Sequence, residues 1–446
     1  MKICLVSLGC DKNLVDSEKM LGLLSAAGHT FTDDEAEAEC IIVNTCCFIG
    51  DAKEESINTI ISMGRMKEEG ACRLLLVTGC LAERYRDEVL TELPEVDGIL
   101  GTASWDEILK LIDEAEGPSF SQDLHKPQIF APLSALPSSG KRVLTTGGHY
   151  AYLKIAEGCN KRCTYCVIPS VRGSYRSVPM DELVEEAEGL AARGVKELIL
   201  VAQETTLYGV DLYGKKSLPE LLKRLAAVEG IAWIRILYCY PEEITPELVQ
   251  VIKEEPKVCH YLDIPIQHCA DGILSRMGRR TTKAHITAQI KTLREEIPDI
   301  CLRTTFIAGF PGETEEDHEE LMAFINDVEF DRLGVFPYSP EEGTKAAAMP
   351  DQVPEETKLR WRDELMELQQ EISADLCASR IGEELTVMIE GKLADEPVWA
   401  ARTYRDAPGV DGYLFVRSPR MFMTGDLVRV RVTAAEEYDL IGEVVE

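Results

Sequence analysis

The most informative part of the sequence is EGCNKRCTYCVIPSVRG, residues 157–173, in which Cys159, Cys163 and Cys166 stand four and then three residues apart. It begins at the end of YAYLKIAEG, residues 150–158, an apolar run typical of a β-strand. The thiols therefore lie in a loop at the carboxyl end of a strand, where parallel barrels carry their catalytic groups. A four-iron cluster takes one thiolate per iron, so three thiols leave one iron open to another ligand. Zinc ligation and buried free thiols are the alternatives, but no fourth Cys or His follows closely and the spacers are polar.

The strand before this loop is the first of six strand candidates that alternate with amphipathic helical stretches. The six are YAYLKIAEG, ELILVAQE, WIRILYC, YLDIPIQH, CLRTTFIAGF and RLGVFPYS. This alternation predicts a partial TIM-type (β/α)6 barrel with a parallel sheet. A long helix then closes the domain, because apolar residues recur at spacings of three and four from Trp361 to Leu376. The barrel domain is expected to span residues 149–377.

Residues 1–117 carry another βαβ pattern, with the near-continuous apolar strands of a parallel sheet covered on both faces. Cys10, Cys46 and Cys80 end the first three strands, in SLGC, VNTC and VTGC. The carboxyl ends of neighbouring parallel strands converge on one crevice, so these distant thiols are expected to form a second three-thiol site. Taken singly, each is also compatible with a small buried residue like Cys4 or Cys259. The matching position of all three favours a second cluster.

Two changes of pattern divide the rest of the chain. Residues 118–148 are rich in Pro, Ser and Gly without any helical or alternating period, which predicts a linker. In residues 378–446, apolar residues recur with period two between Gly, Pro and Asp turns, which predicts a small antiparallel β-barrel. The expected fold class is therefore α/β multidomain: an N-terminal parallel-sheet domain, a central partial barrel and a C-terminal β-barrel.

The Cys-x3-Cys-x2-Cys spacing, with an aromatic residue (Tyr165) directly before the last cysteine, resembles the radical S-adenosylmethionine (SAM) superfamily. The resemblance implies a 4Fe-4S cluster on Cys159, Cys163 and Cys166, with SAM bound to the open iron and cleaved reductively to a 5'-deoxyadenosyl radical. It also implies SAM contacts near the cluster and at later strand ends, which fall here on Tyr165, Gln203, Glu204, Thr205, Gln267, His268, Arg303 and Gly309. The alternatives are ordinary loop polarity for residues 203–205, a buried hydrogen-bonded imidazole for His268 and a plain turn for the glycine.

The order of the three domains is similar to the methylthiotransferase family, whose C-terminal barrel is a TRAM domain, and the similarity covers essentially the whole chain. It implies two 4Fe-4S clusters and two SAM molecules. One SAM donates a methyl group to sulfur held at the N-terminal cluster, and the other is the radical source. It further implies a sulfur donor and an electron donor such as flavodoxin or ferredoxin.

Two stretches, SLGCDKNLVDSE and QETTLYG, resemble the branch of that family that modifies an aspartate of small-subunit ribosomal protein S-twelve, free or in the assembled subunit. Charge agrees, since the chain has a net charge of -31. Residues 380–446 carry eight basic and thirteen acidic side chains, a net charge of -5, which disfavours a phosphate backbone and favours a basic protein. Direct sequence-specific nucleic-acid binding is therefore not expected. Basic spots at GKR, residues 140–142, and MGRRTTK, residues 277–283, leave a transfer RNA adenosine as the alternative substrate. A non-catalytic iron-sulfur carrier is a second alternative.

The N-terminal stretch MKICLVSLGCDKNLVDSE has too short an apolar run for a signal peptide or a membrane span. We therefore expect a cytoplasmic protein with no membrane partner. In that reducing compartment, the fifteen cysteines are more simply metal ligands and buried thiols than a disulfide framework.

Overall fold

The computed structural model of the chain describes residues 1–117, 126–137, 140–394 and 396–445. The chain forms two compact units. Unit 1 contains Met1–Thr145, Ala156–Val178 and Ser339–Ala347, and unit 2 contains Thr146–Ile155, Pro179–Tyr338 and Ala348–Glu446. None of the fifteen cysteines, all of which lie in the described ranges, forms a disulfide bond. In the described ranges, no helix has both the length and the apolar character needed to cross a membrane.

Unit 1 is built on a six-stranded parallel sheet. Its strands are β1 (Lys2–Ser7), β2 (Thr30–Phe31), β3 (Cys40–Thr45), β4 (Leu74–Gly79), β5 (Gly98–Leu100) and β6 (Gln128–Ile129), in the order β2-β1-β3-β4-β5-β6. Its helices are α1 (Asp11–Ala26), α2 (Gly50–Gly64), α3 (Met66–Glu69), α4 (Cys80–Glu92) and α5 (Ile108–Glu116). The predicted parallel-sheet domain is confirmed.

Successive residues of the central strands point to opposite sides of this sheet. An apolar layer covers each side, so both faces are buried. In β3, Ile41 and Val43 pack in one apolar layer, whereas Cys40 and Ile42 pack in the other. This explains why β3 and β4 are apolar throughout instead of alternating with polar residues.

The segment predicted as a linker contributes to this sheet. Its residues 118–125 and 138–139 lie outside the described part of the chain. Among the others, β6 pairs in parallel with β5 as an edge strand, and the buried Arg142 pairs with Glu18 of α1, with Nε 2.7 Å from Oε2. The described residues of this stretch up to 145 thus belong to unit 1, whereas residues 146–148 belong to unit 2. The two-residue strand has no period that a sequence pattern would reveal.

The cysteine-rich stretch also belongs to unit 1. It contains a short antiparallel pair, β8 (Ala156–Glu157) and β9 (Arg176–Ser177), and the short helix α6 (Ile168–Val171). Val171 is buried in the apolar layer that contains Ile41 and Cys80, and Ile168 packs against that layer. The cysteine-rich loop follows the first barrel strand in sequence, but its end packs into the core of unit 1.

Unit 2 contains the second parallel sheet, with order β14-β13-β12-β11-β10-β7. The strands are β7 (Tyr150–Lys154), β10 (Glu197–Val201), β11 (Trp233–Ile236), β12 (Val258–Gln267), β13 (Cys301–Ala308) and β14 (Arg332–Pro337). The helices are α7 (Met180–Ala192), α8 (Val210–Tyr213), α9 (Leu218–Ala226), α10 (Pro246–Glu254), α11 (Asp271–Arg276), α12 (Lys283–Glu296), α13 (Glu315–Val328) and α14 (Glu355–Ser379). This confirms the predicted partial barrel of six parallel strands.

The C-terminal part of unit 2 is a closed five-stranded barrel. Its strands are β15 (Glu384–Lys392), β16 (Val398–Thr403), β17 (Leu414–Arg417), β18 (Leu427–Ala435) and β19 (Leu440–Val444), in the order β15-β16-β17-β19-β18. The prediction of a small β-barrel is confirmed, but one pair, β17 with β19, is parallel instead of antiparallel. An odd number of strands in a closed ring cannot alternate in direction throughout, so at least one parallel pair is required.

Buried ion pairs attach this small barrel to the parallel sheet of the same unit. Glu197 of β10 accepts hydrogen bonds from Arg235 Nε and Arg402 Nη2, each at 2.7 Å, and all three side chains are almost completely buried. A second contact pairs Arg332 Nη2 with Asp406 Oδ1 at 2.6 Å. The C-terminal barrel is thus an integral part of unit 2.

Candidate functional site

The structure brings Cys10, Cys46 and Cys80 together at the carboxyl ends of the adjacent strands β1, β3 and β4. Cys10 is the residue before α1, Cys46 follows β3 directly, and Cys80 is the first residue of α4. Burial raises the pKa of Cys46 to about 12, with further contributions from the neighbouring thiols of Cys80 and Cys10. The N-terminal ends of α1 and α4 therefore lie at one group of thiols, where the helix dipoles favour negative charge.

A glycine with a left-handed backbone conformation precedes at least one cysteine in each of the two predicted groups of thiols. Gly79, before Cys80, has φ +92°, and a Cβ there would lie 2.4 Å from Asn44 Oδ1. Gly158, before Cys159, has φ +79°, and a Cβ would lie 2.3 Å from Ser174 O. Only glycine combines this backbone conformation with so close an approach. The Gly-Cys pairs in the sequence are thus a requirement of the turns that present the thiols.

Cys159, Cys163 and Cys166 also lie close together in unit 1. Burial raises the pKa of Cys166 to about 12; the Ile168 N–H lowers it, and the thiols of Cys163 and Cys159 raise it further. Arg162, between the first two cysteines, has φ +55°, an uncommon conformation for a residue with a side chain. Tyr165 is half-buried in the turn between Cys163 and Cys166.

Both sets of thiols fit iron-sulfur clusters. Within the described residues, no group of three or more His, Cys, Asp or Glu side chains is placed to hold a single metal ion. A single ion needs its donors to converge on one point, whereas a 4Fe-4S cluster takes one thiolate at each of several irons. Raised thiol pKa values fit as well, because a buried thiolate needs a positive centre to offset the cost of burial.

Backbone amides near these thiols also suit cluster ligands. The Lys161 N–H donates to Cys159 Sγ at 3.4 Å, and amides of Phe48 and Ile168 lower the pKa of Cys46 and Cys166 against the larger effect of burial. Each donor is two residues beyond its cysteine. Such N–H to sulfur bonds stabilise thiolates and adjust the potential of a bound cluster.

Sequence reasoning missed Arg172, which lies six residues after Cys166. Its Nε donates to Cys80 Sγ at 3.4 Å, and its Nη1 lies 2.8 Å from Asp16 Oδ2 and 3.1 Å from Glu157 Oε2. Burial alone would lower the pKa of Arg172, but Cys80, Glu157 and Asp16 outweigh burial and hold it well above the ordinary arginine value. Only its closeness to the cysteine loop could have drawn attention to it, because Asp16 and Cys80 lie 156 and 92 residues away in sequence.

The side chains of Asn13 and Asn44 hydrogen-bond the backbone near Cys10 and Cys46. Asn13 Nδ2 donates to the carbonyls of Leu8 at 3.0 Å and Thr45 at 2.9 Å, and its Oδ1 accepts from Arg172. Asn44 Nδ2 in turn donates to the Asn13 carbonyl at 2.9 Å. These bonds join the ends of β1 and β3 just before Cys10 and Cys46.

Residues 203–205 follow β10 in unit 2, as the sequence predicted. Gln203 is half-buried, whereas Glu204 is fully buried, and its Oε1 accepts from the Thr206 N–H at 3.0 Å. The Thr205 hydroxyl donates to the Leu237 carbonyl at 2.8 Å, which ties the end of β10 to the end of β11. Thr205 thus has a structural partner of its own, and a SAM contact from this group stays a prediction.

Two strand ends in unit 2 have unusual backbones. Gln267, the last residue of β12, has φ +76°, and Tyr238, just after β11, has φ +61°. Left-handed residues with side chains cost energy and concentrate at functional sites. This conformation is compatible with the predicted cofactor role of Gln267, and no motif in the sequence had singled out Tyr238.

His268 is completely buried. Its Nδ1 accepts from the Ala270 N–H at 3.0 Å, and its Nε2 lies 3.4 Å from Glu313 Oε1. These partners are compatible with the alternative interpretation, a buried hydrogen-bonded imidazole, and the SAM contact of His268 stays a prediction.

Arg303 and Gly309 lie in close contact with other side chains of unit 2. Arg303 Nη1 lies 2.8 Å from Asp263 Oδ1, and its Nε lies 3.4 Å from Asp411 Oδ1 of the C-terminal barrel. A Cβ at Gly309, with φ +75°, would lie 2.3 Å from Lys358 Cγ, so the glycine is needed for the turn and for packing against α14. The SAM contacts of Arg303 and Gly309 stay predictions.

Comparison with known proteins begins with three family models that match consecutive parts of the chain. Residues 2–101 match the uncharacterized protein family UPF0004, residues 153–325 match the radical SAM superfamily, and residues 381–445 match the TRAM domain.

Full-length relatives decide the family. The ribosomal protein uS12 methylthiotransferase RimO of Lachnoclostridium phytofermentans is 58% identical over 99% of this chain and 99% of its own length. The chain belongs to the RimO family. Another RimO, from Pelotomaculum thermopropionicum, is 50% identical over 100% of this chain and 99% of its own. The resemblance predicted from the cysteine spacing and the domain order is thereby confirmed.

Solved structures support the RimO-family fold at a lower level of similarity. A radical SAM methyltransferase, TsrM from Kitasatospora setae, solved with cobalamin and a 4Fe-4S cluster bound, has a TM-score of 0.56 and 15% identity, covering 77% of this chain and 73% of its own. OxsB, a cobalamin-dependent SAM radical enzyme, has a TM-score of 0.53 and 12% identity, covering 82% and 56%. At such identities the likeness concerns the fold alone.

Proposed function

We propose that this chain is a radical SAM methylthiotransferase that adds a methylthio group to the β-carbon of an aspartate in ribosomal protein uS12. The observation that carries the proposal is the full-length match, at 58% identity, to a protein named as a uS12 methylthiotransferase. The two groups of three thiols in unit 1 supply the ligand sets that this chemistry requires.

In this proposal, Cys159, Cys163 and Cys166 hold one 4Fe-4S cluster, and Cys10, Cys46 and Cys80 hold another. The first cluster would supply the electron that cleaves SAM, and the second would hold the sulfur that a second SAM methylates. The left-handed glycines before Cys80 and Cys159 present the thiols, and the backbone amides beside them stabilise the thiolate form. The proposed SAM contacts of unit 2 are Gln203, Glu204, Thr205, Gln267, His268, Arg303 and Gly309.

Charge favours a basic protein as the substrate. Of the eight basic residues in residues 380–446, Arg402 and Arg405 are buried against the parallel sheet of unit 2, where they pair with Glu197 and Asp331. Arg429 and Arg431 are exposed but both pair with Glu384. Few cations are therefore left on this barrel to contact a phosphate backbone. A strongly acidic chain of net charge -31 suits a basic ribosomal protein better than transfer RNA.

The proposed reaction needs partners for electrons and sulfur. An electron donor such as flavodoxin or ferredoxin would reduce the clusters, and a separate donor would supply the sulfur. A substrate in the ribosome places the reaction in the cytoplasm.

The test is mass spectrometry on the reconstituted, reduced protein with SAM and a sulfide source. One reaction contains a uS12 peptide with the target aspartate, and a parallel reaction contains transfer RNA. We expect the peptide aspartate to gain the mass of one methylthio group in place of hydrogen, and both 5'-deoxyadenosine and S-adenosylhomocysteine to form. Modification of adenosine alone would overturn the choice of substrate.

Cysteine-to-alanine variants distinguish an enzyme from a non-catalytic iron-sulfur carrier. Replacing Cys159, Cys163 and Cys166 by alanine should abolish 5'-deoxyadenosine while about four iron atoms remain bound to the second set. Cys40→Ala, which removes a buried thiol of β3 outside both sets, is the matched control and should keep about eight iron atoms and full activity. If wild-type protein with both clusters bound does not cleave SAM, the chain is an iron-sulfur carrier and not an enzyme.

A further inference from the structure

A buried cation joins the two groups of thiols. The side chain of Arg172 is 2% exposed, and it lies on the segment that carries Cys159, Cys163 and Cys166. Its guanidinium donates to Cys80 Sγ, which belongs to the other group. The remaining donors contact Asp16 of α1, Glu157 of β8 and Asn13 of α1. One side chain thus bonds a proposed ligand of one cluster while belonging to the loop of the other.

The position of this charge has a definite effect on electron transfer. Reducing a cluster by one electron adds one negative charge to it, and the electron comes from an external reductant. A buried guanidinium hydrogen-bonded to a ligand sulfur stabilises the more negative, reduced state. Asp16 and Glu157, each 5% exposed, oppose this effect because they add negative charge at Nη1 of the same guanidinium. Only the guanidinium is hydrogen-bonded to the ligand sulfur directly, through Nε at 3.4 Å from Cys80 Sγ.

We propose that Arg172 is a positioning residue that orients Cys80 and raises the reduction potential of the cluster held by Cys10, Cys46 and Cys80. The inference rests on the proposed function, because it requires a cluster at these three thiols. It goes beyond that function because it assigns control of this cluster's reduction potential to Arg172, a residue of the loop that carries the other three cysteines. Arg172 contacts no reacting atom in this proposal.

The experiment isolates one cluster. In a background with Cys159, Cys163 and Cys166 replaced by alanine, the protein is reconstituted and titrated with dithionite under electron paramagnetic resonance. Arg172→Gln should lower the midpoint potential, with at least a tenfold shift of the reduction equilibrium, which is about 59 mV for one electron. Arg172→Lys, which keeps the charge but loses the planar fork, should shift it less. Asp16→Asn should shift it in the opposite direction, toward higher potential.

Controls make the result decisive. Arg142→Gln removes another buried arginine of unit 1, one whose Nε lies 2.7 Å from Glu18 Oε2, and should leave the potential unchanged. If Arg172→Gln does not fold, Arg172→Lys still tests the proposal, because loss of the Nε donor to Cys80 should lower the potential, whereas a purely structural arginine predicts no change. A loaded cluster whose potential is unchanged by both Arg172→Gln and Arg172→Lys overturns the inference. If the cysteine-to-alanine background binds no iron at all, the proposed second site itself fails, and the inference fails with it.

Discussion

The residues that build the candidate site differ in how far along the chain their partners lie. The spacing of Cys159, Cys163 and Cys166 is local, so the sequence displays it directly. Arg172 bonds Asp16 and Cys80, which precede it by 156 and 92 residues. Contacts at such separations depend on strand order and register, and a single sequence does not contain either.

Gly79 offers a residue-scale prediction. Gly79→Ala would place a Cβ 2.4 Å from Asn44 Oδ1 and force a non-glycine residue into φ +92°. We expect a cost of about 1–3 kcal/mol at this turn and a several-fold loss of iron from the set that contains Cys80. Iron analysis in the background lacking the other three thiols measures this loss.

Gly28→Ala is the matched control for that variant. Gly28 has φ +87°, but a Cβ there would meet no atom within 4 Å. It should cost only the backbone strain, about 1–2 kcal/mol, and leave the iron content intact. Equal iron loss in both variants would contradict a specific role of the Gly79 turn.

Glu197 offers a second prediction at this scale. Glu197→Gln leaves Arg235 and Arg402 buried without their shared carboxylate, and should cost about 3–5 kcal/mol. Hydrogen exchange of peptides covering β10 and β16 measures the opening free energy. Glu296→Gln, which breaks the exposed pair with Lys253, is the control and should cost less than about 1 kcal/mol.

The same pair predicts a pH dependence. Burial would raise the pKa of Glu197, but Arg402 and Arg235 outweigh burial and lower it. A lowered pKa means that the stabilisation is present above the ordinary glutamate value of about 4.3 and is lost as the pH falls through the lower folded value. The difference in opening free energy between wild type and Glu197→Gln should therefore shrink below about pH 4. A difference that grows on acidification would contradict the assignment.

Among the helices and strands, the long and strongly periodic ones were predictable from the sequence and the short ones were not. The six barrel strands and the helix α14 have clear periods in the sequence. The two-residue strand β6 and the four-residue helix α6 have none, yet they add an edge to the sheet and a residue to the core of unit 1. Their place depends on tertiary contacts, which override local propensity.

The segment Ser339–Ala347 gives an element-scale prediction within unit 1. Arg84 Nη1 of α4 lies 3.0 Å from Glu341 Oε2, and the Ala346 N–H donates to the Thr164 carbonyl at 2.9 Å. Glu341 therefore attaches the segment beside Cys80, and the segment in turn contacts the loop between Cys163 and Cys166. Glu341→Gln should weaken a charge-assisted bond worth about 1.5–3 kcal/mol.

Hydrogen exchange of the Ala346 amide measures this attachment. We expect exchange to become at least about tenfold faster in Glu341→Gln, since about 1.4 kcal/mol corresponds to a factor of ten. Glu342→Gln is the control, because the exposed neighbour contributes its carbonyl oxygen, and not its carboxylate, to Arg84. Unchanged exchange in Glu341→Gln would show that the backbone contacts alone hold the segment.

At the scale of the whole molecule, net charge makes a prediction about substrate encounter. An acidic chain of net charge -31 should attract a basic ribosomal protein over long range, and salt should screen that attraction. The association rate with uS12 should fall by about tenfold or more between low and high ionic strength. Stopped-flow fluorescence with labelled uS12 measures it, and an association rate independent of salt would contradict electrostatic steering.

The packing of Val171 against Cys80 in one apolar layer has a consequence for the order in which the protein is made. Cys10, Cys46 and Cys80 leave the ribosome early, but the layer behind Cys80 is complete only after residue 171 has emerged. The growing chain therefore offers both proposed sets of iron ligands to the cell's assembly machinery in a single folding event. A nascent chain halted between the two sets would present bare apolar surface in place of the completed layer.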